Sequence, residues 1–544
     1  MKIKGSNLSF PHSLGHVRTS MSTPSLRSSI SVLDTTLRDG LQGEDVSLSV
    51  NDKLNIVKLL DGFGVNFIEA GNPFSNPKDA LFFEEAQRLK LANAKLTAFG
   101  STVRKHTKPE DDAGLNALLA ANTEIVTIFG KSSILHVNEV LKVTPEENLR
   151  MIRATVEYLV SKNRKVIFDA EHFYDGYAMD KDYAEKSLAA AAEAGAFVLC
   201  LCDTNGGTLP TTIFDITKKI VGLYPNAQIG VHTHNDSGCA VANTLAAVNA
   251  GAAHIQGTFT GFGERCGNAE LCSVLPNLVL KMKKECDADL SKLTVTATAI
   301  CECANLKLEN NKPYIGKSAF THKGGMHIDG VLKHTASFEH VDPETVGNKR
   351  RFLVSEVAGR GVVFEKLKTY FPDLEKTSPA LDAIVAKLKE MESVGYQFEA
   401  ADASFELMAA GVLGRRKKFF NLKFYKTMGE FPVAEGELSA SATIKVEVDG
   451  KTEMTAATGD GPVNALDLAL RKALTVFYPA ISDMHLTDYK VRVIDQNMNT
   501  AARVRVLIES TDKEKVWTTI GVSENIIEAS LSALIDSIEY KLLH

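Results

Sequence analysis

The segment Q-I-G-V-H-T-H-N-D, residues 228–236, indicates both the fold and the chemistry of this chain. Its apolar, β-branched start predicts a strand that ends in polar residues. Residues two apart in a strand point to the same side, so His232 and His234 can face one ion. On this local pattern alone, two histidines that only make hydrogen bonds are the alternative. The metal interpretation is favoured by Asn235 and Asp236, because such side chains often orient ligating imidazoles.

Outward from this segment, short β-rich runs alternate with longer segments of helical spacing from Ile30 onward. Segments such as 52–63 and 147–161 have apolar residues at i, i+3, i+4 and i+7, which predicts helices. The predicted strands are 31–37, 65–70, 95–99, 124–129, 165–170, 197–202, 228–231 and 254–259. This many βα units within about 250 residues predicts an α/β fold with a closed (β/α)₈ TIM barrel rather than an open doubly wound sheet.

Such barrels carry their chemistry at the carboxyl ends of the strands. The polar residues predicted there are Arg38, Asp39, Glu69, Glu171, His172, Asp203, Thr204, His232, His234, Glu264, Arg265 and Asn268. Strand 8 of a closed barrel lies beside strand 1, so strands 7, 8 and 1 bring four of these side chains together. They are Asp39, His232, His234 and Asn268. A carboxylate, two imidazoles and an amide oxygen suit Zn²⁺, Mn²⁺ or another first-row divalent ion.

Two glycine-rich segments lie outside this strand pattern. The loop G-F-G-E-R-C-G-N, residues 261–268, lacks the dinucleotide-binding spacing, and its glycines predict close backbone approach to a ligand, with a purely structural turn as the alternative. The segment S-A-F-T-H-K-G-G-M-H-I-D-G, residues 318–330, predicts a non-helical loop that reaches a site, with a simple connector as the alternative.

The chain of 544 residues is too long for one compact core. We predict an extension at 1–29, a barrel at 30–296, a helical linker subdomain at 297–412 and an α+β regulatory domain at 413–544. The last contains an internal repeat, in which strands followed by a helix near Gly459 are echoed near Gly521. It has no evident catalytic cluster, which favours binding or assembly.

Composition excludes several classes of protein. A net charge of -6 predicts no general attraction to nucleic acid, and the absence of an apolar run of membrane-spanning length predicts no membrane insertion. The 8 cysteines do not form a disulfide framework and predict buried, reduced thiols in a reducing compartment. The cytoplasm is the default compartment. Residues 1–29 lack acidic side chains and are rich in serine, so a plastid or mitochondrial transit peptide is the alternative to a disordered extension.

Four motifs together resemble the 2-isopropylmalate, homocitrate and citramalate synthase family. They are L-D-T-T-L-R-D-G at 33–40, G-V-H-T-H-N-D at 230–236, G-F-G-E-R-C-G-N at 261–268 and H-K-G-G-M-H-I-D-G-V-L-K at 322–333. The segments at 71–79, 127–132, 169–177 and 202–210 are most similar to the citramalate synthase branch. Members of that branch are acyltransferases that condense pyruvate with acetyl-CoA and serve isoleucine biosynthesis.

The resemblance implies a role for each matching residue. Asp39, His232, His234 and Asn268 would bind the divalent metal, which would be Mn²⁺, Mg²⁺ or Zn²⁺. Arg38 would stabilise the developing oxyanion, Thr204 would contact the 2-oxo acid, and Glu171 with His327 would take part in proton transfer. It also implies a homodimer in which the segment carrying His327 crosses to the partner barrel, and an end-product effector, expected to be isoleucine, bound by the C-terminal domain.

One position departs from the family pattern. Many relatives have tyrosine shortly after the H-x-D-G segment, where this chain has Phe338, which keeps the ring and loses the hydroxyl. The alternatives are therefore a 2-isopropylmalate or homocitrate synthase, a metal-dependent acyl-CoA lyase, and a non-catalytic amino-acid-binding regulator. The regulatory repeat argues against the lyase, and the intact set of candidate metal ligands argues against the regulator.

Overall fold

The computed structural model describes residues 29–353, 359–430, 439–494, 502–512 and 514–544. The predicted targeting or disordered extension lies outside the described residues, except for Ser29. Two compact units divide the chain. The first contains residues up to Gly316 together with Thr345–Gly347, and the second contains Lys317–Glu344 and Asn348–His544.

The first unit is a closed parallel barrel, as predicted. Each strand is hydrogen-bonded to the next in sequence, and β8 returns to β1 with Asp34 opposite Gly257. The strands are β1 Ser31–Asp34, β2 Phe67–Glu69, β3 Lys95–Ser101, β4 Ile125–Lys131, β5 Lys165–Glu171, β6 Val198–Asp203, β7 Gln228–Thr233 and β8 His254–Gly257. β1 ends earlier than predicted because the Asp34 carboxylate accepts a hydrogen bond from the Thr36 backbone N–H at 2.9 Å, which starts a turn.

Helices surround the barrel. They are α1 Val50–Phe63, α2 Pro77–Ala86, α3 Ala113–Ala120, α4 Pro145–Ser161, α5 Phe173–Met179, α6 Lys181–Glu193, α7 Pro210–Leu223, α8 Ala240–Asn249, α9 Leu271–Pro276 and α10 Leu293–Cys303. The beginning of α1 is set by a capping box between Ser49 and Asp52, and its end by Gly64, whose φ is 97°. These signals agree with the apolar spacing that predicted this helix.

The first part of the second unit is helical, with one short parallel strand pair. Its elements are β9 Thr321–His322, α11 Gly325–Lys333, β10 Arg351–Phe352, α12 Arg360–Lys368, α13 Ala380–Ser393 and α14 Asp402–Val412. The prediction of a non-helical loop at 318–330 is wrong, because residues from Gly325 onward form α11. Ile328 and Val331, three residues apart, are buried, and this packing outweighs the low helix propensity of the glycines.

The C-terminal part shows the predicted repeat. Two three-stranded antiparallel sheets are each followed by a helix. The elements are β11 Asn421–Gly429, β12 Ala440–Val448, β13 Lys451–Gly459, α15 Pro462–Thr475, β14 His485–Val493, β15 Val504–Thr511, β16 Val516–Ser523 and α16 Ile526–Leu543. Apolar residues alternate along β12, and they share one core with the buried faces of α15 and α16. The predicted α+β domain with an internal repeat is therefore confirmed.

Candidate active site

The carboxyl ends of β7 and β8 and the turn after β1 bring Asp39, His232 and His234 together at the top of the barrel. One ligand atom from each lies within 4.8 Å of the others, and all three side chains are buried. The Asp39 Oδ2 atom is 3.1 Å from His232 Nε2 and 3.9 Å from His234 Nε2. The two Nε2 atoms are 3.3 Å apart. Three donors that converge in this way can hold one divalent ion.

Asn268 completes the cluster from the loop after β8. Its amide Nδ2 lies 2.6 Å from Asp39 Oδ2 and 3.2 Å from His232 Nε2, whereas its buried Oδ1 has no hydrogen-bond partner in the described part of the chain. Because the two ends of an amide are interchangeable by rotation, the oxygen can take the position that faces the other donors. The unsatisfied oxygen and the nature of the donors both fit a metal ion.

The glycines of the loop at 261–268 serve this asparagine. A Cβ atom on Gly263, whose φ is 157°, would lie 1.9 Å from Asn268 Oδ1. A Cβ on Gly267, whose φ is 85°, would lie 2.1 Å from the Gly261 carbonyl oxygen. We predicted close approach to a ligand, and the close approach in the structure is to the Asn268 side chain and to the loop backbone.

The other nitrogen of His232 is held by a buried chain of hydrogen bonds. Gln256 Oε1 lies 2.9 Å from His232 Nδ1, and Gln256 Nε2 donates to Asp169 Oδ1 at 2.8 Å. This contact assigns the proton to Nδ1 and leaves the lone pair of Nε2 for an ion. Sequence reasoning missed Gln256, although a polar residue at an inward-facing position of β8 is a usable signal.

The electrostatics of the cluster suit a cation. Burial raises the pKa of the Asp39 carboxyl, but the Arg38 charge and the His232 contact outweigh burial and bring the pKa well below its usual range. Burial, followed by the charge of His232, lowers the pKa of His234 to about 4. The cluster therefore offers an ionised carboxylate and an unprotonated imidazole near neutral pH.

Arg38 lies beside the cluster in a fixed orientation. Its Nε donates to Glu69 Oε2 at 2.5 Å, its Nη1 donates to Asp39 Oδ1 at 2.9 Å, and its guanidinium lies 3.8 Å from the centre of the Phe99 ring. Among the described residues, Nη2 has no hydrogen-bonded partner. Arg38 thus presents a positive charge and free N–H groups next to the donors.

A cavity of about 350 Å³ opens above the cluster, which is enough for a small acid and part of a second substrate. Thr204 and Glu171 line it together with Arg38. The Thr204 Oγ1 atom accepts from the His172 backbone N–H at 2.8 Å, so its own hydrogen is available to a ligand. Glu171 forms an ion pair with Lys131 at 2.5 Å, a partner that sequence reasoning missed.

The mouth of the cavity is bordered by Glu264 and Arg265 from the loop after β8. Arg265 donates to both carboxylate oxygens of Asp236, at 2.7 and 3.0 Å, and to the Thr204 carbonyl oxygen at 2.9 Å. It therefore links the loops that follow β6, β7 and β8. The remaining predicted site residue, His327, belongs to the second unit, where its ring stacks on Phe338 with centroids 4.2 Å apart.

Comparison with known proteins supports this assignment. Residues 29–300 match the HMGL-like family, 314–395 the homocitrate synthase post-HMGL domain-like family, and 399–542 the LeuA allosteric (dimerisation) domain. The (R)-citramalate synthase of Aquifex aeolicus is 50% identical over 514 residues, covering 94% of this chain and 97% of that protein. The chain belongs to the (R)-citramalate synthase family. The predicted family is thereby confirmed.

Other relatives agree with this placement. The (R)-citramalate synthase of Geobacter sulfurreducens is 48% identical, covering 94% of this chain and 97% of that protein. The probable 2-isopropylmalate synthase of Methanopyrus kandleri is more distant, at 32% identity over 93% of this chain and 97% of that protein. The matches to the C-terminal domains extend the similarity beyond the barrel.

Two further observations concern the environment of the chain. No helix within the described residues is long and apolar enough to cross a membrane. All the cysteines are free. The prediction of buried thiols holds for Cys200, Cys202, Cys272 and Cys301, but Cys266 is exposed because it lies in the loop at the cavity mouth.

We predict that Gln256→Leu lowers the affinity for Mn²⁺ about 10-fold to 100-fold, because His232 loses the contact that orients its ring. Thr244→Val is the matched control, since it removes a buried hydrogen bond 3.0 Å long to Thr233, next to His232 in the same strand. Calorimetric titration of the full chain with Mn²⁺ measures both variants. Equal affinities in Gln256→Leu and the control would contradict the assigned role of Gln256.

Proposed function

We propose that this chain is an acyltransferase that condenses acetyl-CoA with pyruvate and hydrolyses the thioester, giving (R)-citramalate and CoA for isoleucine biosynthesis. The observation that carries the proposal is the cluster of Asp39, His232, His234 and Asn268 beside Arg38 in one cavity. The similarity to (R)-citramalate synthases over nearly the whole chain supports the choice of substrates.

We propose that the four clustered side chains hold a divalent ion, with Mn²⁺, Mg²⁺ and Zn²⁺ as the candidates. When bound, such an ion polarises a ketone oxygen and orients a chelating 2-oxo acid. Thr204 donates its free hydroxyl hydrogen to the acid. Arg38 places Nη2 where negative charge develops on the ketone oxygen, and its contacts with Glu69 and Asp39 keep it there without reorganisation.

We propose that Glu171 and His327 move the protons. A methyl proton leaves acetyl-CoA, the resulting enolate carbon bonds to the ketone carbon of pyruvate, and the ketone oxygen takes up a proton. Water then cleaves the thioester and releases CoA. Lys131, at 2.5 Å from Glu171, favours the ionised carboxylate that a base requires.

The main alternative is a synthase of the same family that uses a larger 2-oxo acid. Five (R)-citramalate synthases are 43% to 50% identical to this chain, whereas the 2-isopropylmalate synthases compared are 31% or 32% identical. This difference favours pyruvate over 2-oxoisovalerate.

The test is CoA release by the full chain with acetyl-CoA and, separately, pyruvate, 2-oxoisovalerate or 2-oxoglutarate, each with and without a chelator. We expect chelator-sensitive release with pyruvate and identification of citramalate as the product. Asp39→Asn should lower kcat more than about 100-fold, a larger loss than for residues that only orient a ligand. The exposed Asp182→Asn is the control. Chelator-resistant turnover, or full activity of Asp39→Asn, would refute the metal site.

We propose that the chain forms a homodimer, in which His327 serves the barrel of the second copy. The match to the LeuA allosteric (dimerisation) domain supports this, as do the exposed apolar side chains Phe424, Met428 and Met454 on the outer face of the first C-terminal sheet. We expect Phe424→Asp to weaken the dimer in sedimentation experiments, whereas Val295→Asp, at an exposed barrel residue, should not. A wild-type chain that sediments as a monomer at micromolar concentration would exclude the homodimer.

We propose isoleucine as the feedback effector of the C-terminal domain. The support is indirect: the domain matches an allosteric family, and isoleucine is the end product expected from citramalate. We expect isoleucine to inhibit CoA release by the full chain, with leucine and valine weaker at equal concentration. An enzyme indifferent to all three amino acids would refute the proposal.

A further inference from the structure

A buried carboxylate lies behind the segment that carries His327. Glu339 receives two hydrogen bonds from Arg350, from Nε at 2.7 Å and from Nη2 at 2.6 Å. His322 Nε2 lies 3.0 Å from the same carboxylate. The Glu339 side chain is only 3% exposed. Such burial is tolerated only with complete partners, so these three side chains stabilise one another as a unit.

The unit closes the base of a loop. His322 precedes α11, and Arg350 directly precedes β10, whose Phe352 pairs in register with His322. The Leu353 backbone N–H donates to the His322 carbonyl oxygen at 2.9 Å. Glu339 therefore connects the end of the α11 segment to the two strands from which the loop starts and to which it returns.

The residue before Glu339 contacts His327 directly. The Phe338 ring stacks on the His327 ring at 4.2 Å between centroids, with 23° between the planes. A Cβ atom on Gly330 would lie 2.6 Å from the Phe338 ring, so glycine at that position makes the close approach possible. Phenylalanine lacks the hydroxyl of tyrosine but retains the flat surface that contacts the imidazole.

The stack itself is on the surface. Phe338 is 46% exposed and the neighbouring Met326 is 85% exposed, whereas Ile328 on the opposite face of α11 is fully buried. An exposed aromatic ring keeps much of its rotational freedom unless its backbone is held. The buried carboxylate of the adjacent residue holds that backbone.

We propose that Glu339 is a positioning residue of the reaction: through Arg350 and His322 it holds the Phe338 ring against His327 and so keeps the imidazole in one orientation. This inference rests on the proposed function, in which His327 moves a proton. A small displacement of such a group costs up to about 100-fold in rate.

The test is a double-mutant cycle on the full chain. Glu339→Gln keeps the size of the side chain and removes its charge, and we expect kcat to fall about 10-fold to 100-fold with little change in the KM for pyruvate. In a His327→Ala background the same substitution should have no further effect on kcat. Arg350→Lys keeps the charge but loses the paired contact, so it should lower kcat in the same His327-dependent way, and it replaces Glu339→Gln if that variant does not fold.

The control is Asp512→Asn, which removes another partly buried carboxylate in the same unit, paired with Lys541 at 2.6 Å. It should lower the thermal midpoint without changing kcat. Equal losses of kcat from Glu339→Gln in the wild-type and His327→Ala backgrounds, or no loss in either, would overturn the inference. Absence of CoA release by the wild-type chain would instead remove the proposed function itself, so the two failures are distinguishable.

Discussion

The pairing of β1 with β8 is the constraint on which the site depends. These strands are more than 200 residues apart, and four register pairs from Ser31 with His254 to Asp34 with Gly257 bring them side by side. The closure continues beyond the strands, since Thr36 Oγ1 accepts from the Phe259 backbone N–H at 2.8 Å. The turn that carries Asp39 is thereby held next to the loop that carries Asn268. Without closure the carboxylate and the imidazoles would belong to opposite edges of an open sheet.

Burial gives this arrangement its chemistry. In the low-dielectric interior of the barrel, an uncompensated charge is costly, so each ionised group is paired. Arg38 lies between Glu69 and Asp39, and its charge offsets the effect of burial on Asp39. The same burial lowers the pKa of His234, whose imidazole then remains unprotonated. A cavity formed by these groups is prepared for a cation and for a substrate that develops negative charge.

Agreement between sequence and structure is strongest where a pattern repeats and weakest where it is short. Eight alternating βα units predicted the barrel, and the echo near Gly521 predicted the two sheet–helix units. The segment at 318–330 was predicted as a loop because of its glycines, yet α11 occupies Gly325–Lys333. Only one turn of apolar spacing, from Ile328 to Val331, indicated that helix, and tertiary burial outweighed local propensity.

The sequence by itself determined the barrel, the strand ends at which polar residues gather, and the resemblance that implies a condensing enzyme, because periodicity and motif spacing are local properties of the chain. Only the tertiary structure decided which side chains support the site. Gln256 behind His232, Lys131 beside Glu171 and Arg350 on Glu339 are partners from different elements. No local pattern encodes such pairs, since hydrogen bonds between distant residues depend on the closure of the barrel and on the packing of the second unit.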